Sequence, residues 1–285
     1  MNRRAFLRLA ALGGLSGVGA SAYGLSEAHR FGVNTHRAAL EGLSAPLKLV
    51  QLSDLHFGRW HREASVRRWV TAALEQKPEL IVVTGDLIDA GISRERQAVL
   101  VRELARLGTP LGVYAVLGNH DFFRRGGTRE AGVDDLVRAL ERVGVRYLVN
   151  AGAQVRPDLY LAGVDDLWMG TPDLDRALER ATSAGAQILL SHNPDLLPEV
   201  PSSVGLTLSG HTHGGQVRGP FGVGLHSISM YGERFQMGFV SSDPRADGTV
   251  ARGFVSRGLG TTGPPVRTFC PAEVVVLELQ PSARP

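Results

Sequence analysis

The 285-residue sequence predicts an α/β fold, and two observations carry that prediction. From Leu47 to Asp121, apolar runs of strand length alternate with stretches of helical periodicity in the order β-α-β-α-β, the pattern of a sheet with covering helices. Five apolar runs are also followed within three residues by Asp, Asn or His. Open α/β sheets gather their ligand sites just beyond the carboxyl ends of their strands. With 43% hydrophobic and 21% charged residues, the composition is that of a soluble globular protein.

The chain begins Met1-Asn2-Arg3-Arg4-Ala5-Phe6-Leu7-Arg8, followed by an uncharged run from Leu9 to Ser26. Paired arginines ahead of x-Phe-Leu, a basic residue and a weakly apolar Gly/Ala-rich segment look like a twin-arginine export signal. Asn2 departs from the more usual Ser or Thr. Ala20-Ser21-Ala22 offers a small-x-small cleavage site. An uncleaved anchor is the alternative, because 18 uncharged residues lie near the lower bound for spanning a bilayer. Residues 1–26 are thus assigned to a signal or membrane anchor. Residues 27–46, which show no clear periodicity, are assigned to a linker ending near Pro46, and residues 47–285 to one catalytic domain.

Within that domain Leu47–Leu52 reads as the first strand. Glu63 to Gln76 has helical spacing, with Val66, Trp69, Val70 and Ala73 on one face. Leu80–Thr84 is the second strand, and a helix from Ser93 to Leu107 follows, with Ser93 as its cap. Val113–Leu117 is the third strand. After the Arg- and Gly-rich stretch from Arg124 to Gly132 comes a helix over about Val133 to Val143. Short strands are expected at Tyr147–Val149, Gln154–Arg156 and Tyr160–Val164, a helix at Asp173–Ala181, then strands at Ile188–Leu190 and Val204–Leu208. Beyond Gly215, where Gly and Pro are frequent, Arg252–Ser256 and Glu273–Leu279 read as the last strands.

Charge gives no support to one function class. Removal of residues 1–22 lowers Lys+Arg from 31 to 28, against 28 Asp+Glu, so the formal charge falls from +3 to zero. The basic balance belongs to the leader and gives no footprint for nucleic acid. Cys270 is the only cysteine, so no intrachain disulfide can form. A protein exported already folded has less need of one, and could receive metal in the cytoplasm first.

The residues that carry chemistry lie at the strand ends: Asp54-Leu55-His56, Gly85-Asp86, Gly118-Asn119-His120-Asp121, Ser191-His192-Asn193 and Gly210-His211-Thr212-His213-Gly214-Gly215. In extended chain, residues i and i+2 project to one side, so the two imidazoles of a His-x-His pair can face one point. Taken alone each motif is weak: Gly-Asp is an ordinary turn, and His192 before Asn-Pro is an ordinary turn histidine. Together, in oxygen and nitrogen donors only, they point to a metal site.

In this order, the five motifs resemble those of the calcineurin-like metallophosphoesterases. Gly-His-Thr-His-Gly-Gly-Gln at 210–216 and the tail Arg257-Gly258-Leu259-Gly260 through Pro264, Arg267 and Pro271-Ala272-Glu273 resemble a bacterial branch of exported or membrane-associated phosphodiesterases. Some of these act as UDP-2,3-diacylglucosamine pyrophosphatases. The resemblance implies a four-layer α/β/β/α sandwich of two mixed sheets flanked by helices. It also implies two divalent metal ions about 3.5–4 Å apart, sharing a hydroxide that attacks phosphorus and clamping the phosphate oxygens. On this reading Asp54, His56 and His213 hold the first ion, Asn119, His192 and His211 the second, and Asp86 bridges them. His120 protonates the leaving alkoxide or stabilises its charge. Asp121 either orients His120 or caps a turn.

Four further expectations concern metal, substrate and setting. The Asp/Asn/His donor set suits Mn²⁺, Fe, Zn²⁺ or Mg²⁺, with Mn²⁺ expected in at least one position. Arg124 and Arg125 either meet an anionic substrate or are solvated loop charges, and Arg267 either contacts phosphate or braces a loop. Trp168-Met169 lines an apolar pocket or packs in the core, while His29, His36, His61 and His226 are surface or packing residues. The expected partners are a phosphodiester small-molecule or lipid-linked substrate, the twin-arginine export machinery and the membrane surface, outside the cytoplasm. A phosphomonoesterase is the neighbouring alternative, and a non-catalytic scaffold on the same fold is the alternative of another class.

Overall fold

A computed structural model describes residues 22–89, 92–122, 129–182 and 184–282. Its strands are β1 (Phe31–Glu41), β2 (Leu47–Leu52), β3 (Leu80–Thr84), β4 (Val113–Val116), β5 (Val145–Tyr147) and β6 (Ala151–Arg156), then β7 (Leu159–Gly163), β8 (Ala186–Leu190), β9 (Leu206–Ser209), β10 (Gly238–Ser241), β11 (Arg252–Val255) and β12 (Ala272–Ser282). The helices are α1 (Glu63–Glu75), α2 (Arg94–Leu104), α3 (Arg129–Glu141) and α4 (Leu174–Leu178). One six-stranded sheet runs β1-β12-β2-β3-β4-β5 and the other β10-β11-β9-β8-β7-β6. Both are mixed: β2, β3 and β4 pair in parallel while β12 runs antiparallel to β2, and β7, β8 and β9 pair in parallel between two antiparallel outer pairs. The expected fold of two mixed sheets with flanking helices is the fold found.

The period-two alternation of side chains in the strands builds the layers. In the first sheet Val50, Leu52, Ile81 and Val83 turn outward to meet Val66, Trp69 and Val70 of α1, Leu100 and Leu104 of α2, and Leu136 and Leu140 of α3. The alternate residues Leu47, Leu49, Leu80 and Val82 turn inward against Leu161, Ile188, Leu190 and Leu208 of the second sheet. That sheet's other face carries Tyr160, Ala162 and Leu189 under Ala177 of α4 and under Leu196, Leu197 and Phe235. Strands buried on both faces must be apolar at every position. This is why these runs read as continuous hydrophobic stretches. Ser93 caps α2, its side chain accepting the Arg96 N–H. Among the described residues no helix is long and apolar enough to cross a membrane.

Residues 31–41 correct the linker expected over 27–46. They form β1, paired in parallel with β12 from Phe31↔Ala272 to Glu41↔Ser282. Alternate positions are shielded, but these carry Asn34, His36 and Ala38 before Leu40, while Val33 faces solvent. The alternation is real in burial and missing in hydrophobicity, which hid the strand. β10 was also unexpected, and in it Phe239 remains half exposed.

Candidate metal centre

All five motifs come together where the parallel strands of the two sheets end. Asp54 and His56 follow β2, Asp86 follows β3, Asn119 to Asp121 occupy a 3-10 turn after β4, His192 follows β8, and His211 and His213 follow β9. Backbone hydrogen bonds lace these ends together: Asp54 N–H to Gly85 O at 3.0 Å, His56 N–H to Asp86 O at 3.0 Å, and Gly210 N–H to His192 O at 3.0 Å. Asp54 joins the two sheets directly, accepting the His211 N–H at 2.9 Å.

Five of these residues adopt the left-handed region although none is glycine: Asp54, His56, Asp86, His211 and His213, with φ between 42° and 71°. Each such residue costs on the order of 1–3 kcal/mol and persists only where its surroundings over-determine it. Here the turn swings each side chain off its strand and into a shared space. Gly210 permits the closest approach, since a Cβ there would sit 1.9 Å from Ser53 Oγ and 2.3 Å from Asp54 Oδ2.

Two buried groups of donors result. Asp54, His56 and His213 offer ligand atoms within 4.8 Å of one another, and so do Asp86, His192 and His211. Asn119 joins the second group, its Oδ1 lying 3.0 Å from His211 Nδ1. Asp86 stands between the groups, with Oδ2 3.5 Å from His56 Nε2 and 3.3 Å from His192 Nε2. Its other oxygen accepts the His120 N–H at 2.8 Å.

The tautomers show what this space is for. His56 Nδ1 lies 3.0 Å from Asp89 Oδ1, and His192 Nδ1 lies 2.7 Å from the carbonyl of Thr84. Each Nδ1 therefore carries the proton, and each Nε2 presents a lone pair inward, the second-layer arrangement of metal-binding histidines. His56 Nε2 then faces His213 Nε2 at 3.0 Å, an arrangement that calls for a cation between the rings. Electrostatics agree. Burial and the neighbouring His56 and Arg267 drive His213 well below its ordinary value, and burial with His192 brings His211 down to about 3, so both are neutral donors. Burial opposes charge on His192, yet the Asp86 carboxylate raises it to about 10, so a proton and a metal ion compete for its Nε2 beside Asp86. Two buried carboxylates here demand positive charge, and the donor set fits divalent metal.

Residues 47–215, which include all of these donors, match the family model described as calcineurin-like phosphoesterase. The chain belongs to this family. It is 33% identical over 239 residues to the uncharacterized metallophosphoesterase YkuE of Bacillus subtilis strain 168, covering 82% of this chain and 79% of that one. It is 31% identical over 244 residues to an uncharacterized metallophosphoesterase of Aquifex aeolicus strain VF5, covering 82% and 85%. Among solved structures, TT1561 of Thermus thermophilus aligns with a TM-score of 0.46 at 14% identity, covering 75% of this chain and 90% of that one. The protein is a metal-dependent phosphoester hydrolase of the calcineurin-like family, with a dinuclear metal centre.

Other residues of this phosphoesterase differ from expectation. Arg267, expected among the substrate contacts, is fully buried. Its guanidinium donates to the carbonyls of Gly260 at 2.7 Å, Arg257 at 2.8 Å and Cys270 at 3.1 Å. It braces the 257–270 loop beneath His213 and cannot reach a ligand in solvent. Asp121 does not spend its carboxylate on orienting His120, because it accepts the N–H groups of Leu87 at 2.8 Å, Ile88 at 3.2 Å and Gly118 at 2.9 Å. It ties the β3 and β4 loops together, the turn-capping alternative. Arg124 lies outside the described residues, as does the leader through residue 21.

Trp168 is not in the core. Its ring is 46% exposed and meets His211 edge-to-face at 4.3 Å. Sequence reasoning missed Asp89 and Asp166. Asp89 stands three residues past Asp86, and only the fold brings it against His56. Asp166 holds the Trp168 loop by accepting the N–H groups of Trp168 and Met169 at 3.0 and 2.7 Å.

Proposed function

We propose that this phosphoesterase cleaves phosphodiesters or pyrophosphates whose leaving or transferred group carries an apolar part, with a UDP-linked diacylated sugar as the substrate to test. The observation behind this reading is a cavity of about 380 Å³ that opens directly off the metal centre. His211 and His213 form one wall, and Val217, Leu225 and Ile228 supply an apolar lining. A phosphate seated at the donors would leave its organic substituent facing that lining.

In this reading Asp54, His56 and His213 hold one ion, Asn119, His192 and His211 the other, and Asp86 serves both. Two bound divalent ions would supply a nucleophile from water at neutral pH and neutralise charge on the phosphoryl oxygens. The chain's own residues do the rest. Asp89 and the Thr84 carbonyl keep His56 and His192 in the tautomer that faces inward. His120, whose ring lies 4.8 Å from that of His56, gives a proton to the departing oxygen. Burial holds His120 below its ordinary value, which makes it a better proton donor once charged. Mn²⁺ occupies at least one position; metal analysis of protein purified without added metal rejects this if it finds zinc alone. The leader directs the folded protein out of the cytoplasm through the twin-arginine machinery, and replacing Arg3-Arg4 by lysines should hold it inside the cell.

The test of function compares bis-p-nitrophenyl phosphate with p-nitrophenyl phosphate, using metal-stripped protein with Mn²⁺ restored. Metal-dependent cleavage of the diester supports the reading. Turnover of the monoester alone would replace it with a phosphomonoesterase.

A further inference from the structure

From Gly219 to Gly232 the sequence Gly-Pro-Phe-Gly-Val-Gly-Leu-His-Ser-Ile-Ser-Met-Tyr-Gly contains no Asp, Glu, Lys or Arg. The loop it forms holds its largest apolar side chains in solvent. Phe221 is fully exposed, Met230 76%, Leu225 66% and Val223 60%. Such a contiguous apolar surface marks an interaction site rather than ordinary exposure. The loop is well braced at its base. Arg218 pairs with Glu233 at 2.7 Å, Gly219 N–H meets Val223 O at 2.8 Å, and Met230 N–H donates to Asp195 at 2.9 Å.

The apolar surface continues past the loop. Val217 bridges to Thr268, and the next residue, Phe269, is 48% exposed with its ring 5.8 Å from that of Tyr23. Tyr23 and Leu25, also exposed, belong to the uncharged run Leu9–Ser26. The described end of that uncharged run, at Tyr23 and Leu25, therefore lies beside the same strip of surface.

We infer that the 219–232 loop, with Phe269 and Tyr23, docks the protein on a phospholipid bilayer, the loop's apolar tips entering the lipid beside Tyr23 and Leu25. Leu225 and Ile228 belong both to this segment and to the cavity beside the metal centre, which Val217, just before the segment, also lines. Docking thus places the cavity at the lipid surface, within reach of an amphiphile that never leaves the membrane. This inference rests on exposed surface and chain path, and stands apart from the reaction assigned above.

The test uses the full chain carrying one introduced thiol, since Cys270 is buried. Phe221→Cys and Met230→Cys in the loop, and Ala246→Cys on a remote exposed turn, are labelled with an environment-sensitive fluorophore. Each is mixed with vesicles of phosphatidylethanolamine and phosphatidylglycerol containing a spin-labelled quenching lipid. The loop labels should be quenched several-fold more strongly than the label at 246. Adding Met230→Asp to the Phe221→Cys protein should weaken vesicle affinity by about tenfold, as expected for losing one buried apolar side chain. Equal quenching at all three positions overturns the inference. So does loop-label self-quenching without lipid quenching, which would assign the strip to a second copy of the chain. Hydrolysis of the soluble diester on the same labelled samples reports folding. If the loop labels enter lipid while unlabelled protein cleaves no diester, the functional reading fails and the docking surface stands.

Discussion

Replacing Arg267 by Met separates two accounts of a buried charge. The guanidinium has no exposed surface and spends its donors on three carbonyls within 3.1 Å, those of Arg257, Gly260 and Cys270. Met fills a similar volume but donates nothing. Each buried carbonyl left unpaired costs about 1–3 kcal/mol, and relief from burying a charge offsets part of the total. A net loss of about 3 kcal/mol is expected, which with a urea slope near 3 kcal/mol/M lowers the unfolding midpoint by about 1 M. His213 rests on the same braced segment, its carbonyl 3.4 Å from Arg267 Nη1, so metal content should fall as well. Arg267→Lys should recover part of both, because one ammonium cannot reach all three carbonyls. Urea unfolding, metal analysis and KM for the soluble diester are measured on the same preparations. A Met variant with normal midpoint and metal content but a raised KM would refute the bracing account and restore Arg267 to the substrate.

Three other perturbations test the site and its surroundings. Asp86→Ala should remove both metal ions and all activity, and normal metal content would show that Asp86 does not bridge. His120→Ala should keep both ions and lose rate by about 10²–10⁴-fold, typical of general acid catalysis; metal loss would instead make His120 a ligand alongside His56 and Asp89, a grouping its position permits. Burial raises the Glu273 carboxyl, but the Arg257 hydrogen bond at 2.6 Å and its charge outweigh burial and hold the group below its ordinary value of 4.5. A depressed carboxylate contributes stability above its unfolded value and loses it as pH falls through the folded one. The stability gap between wild type and Glu273→Gln should therefore be full at pH 7 and shrink below about pH 4.5; a gap independent of pH would count against the ion pair.

The donor residues were legible because each stands at the end of a strand buried on both faces. A two-sided apolar run such as Leu80–Thr84 is unmistakable, and the first polar residue past it must lie at the sheet's edge. Residues whose meaning depends on distant chain were not legible. Asp89 acquires its role only when His56, 33 positions away, folds against it. Asp121 looked like an orienting carboxylate beside His120, yet N–H groups from residues 87, 88 and 118 claim its oxygens. For Arg267 the tail motif admits both a phosphate contact and a loop brace; nothing in the local sequence announces the carbonyls of Arg257, Gly260 and Cys270 converging on it. β1 stayed hidden because its shielded face carries Asn34 and His36, and Asn34 is there to meet Glu273 at 2.7 Å.

The pairing of β1 with β12 bears on how the chain is made. Arg37 and Glu278 meet across these strands although 241 positions separate them. Of the described strands, the one synthesised first is thus completed by the one synthesised last, and β12 also forms the seam between β1 and β2. Until β12 emerges, both of its neighbours carry unsatisfied edges open to stray pairing. The first sheet closes only at that point, so a chain cut short before β12 would keep two ragged edges and incline to aggregate rather than work as a slightly shortened enzyme.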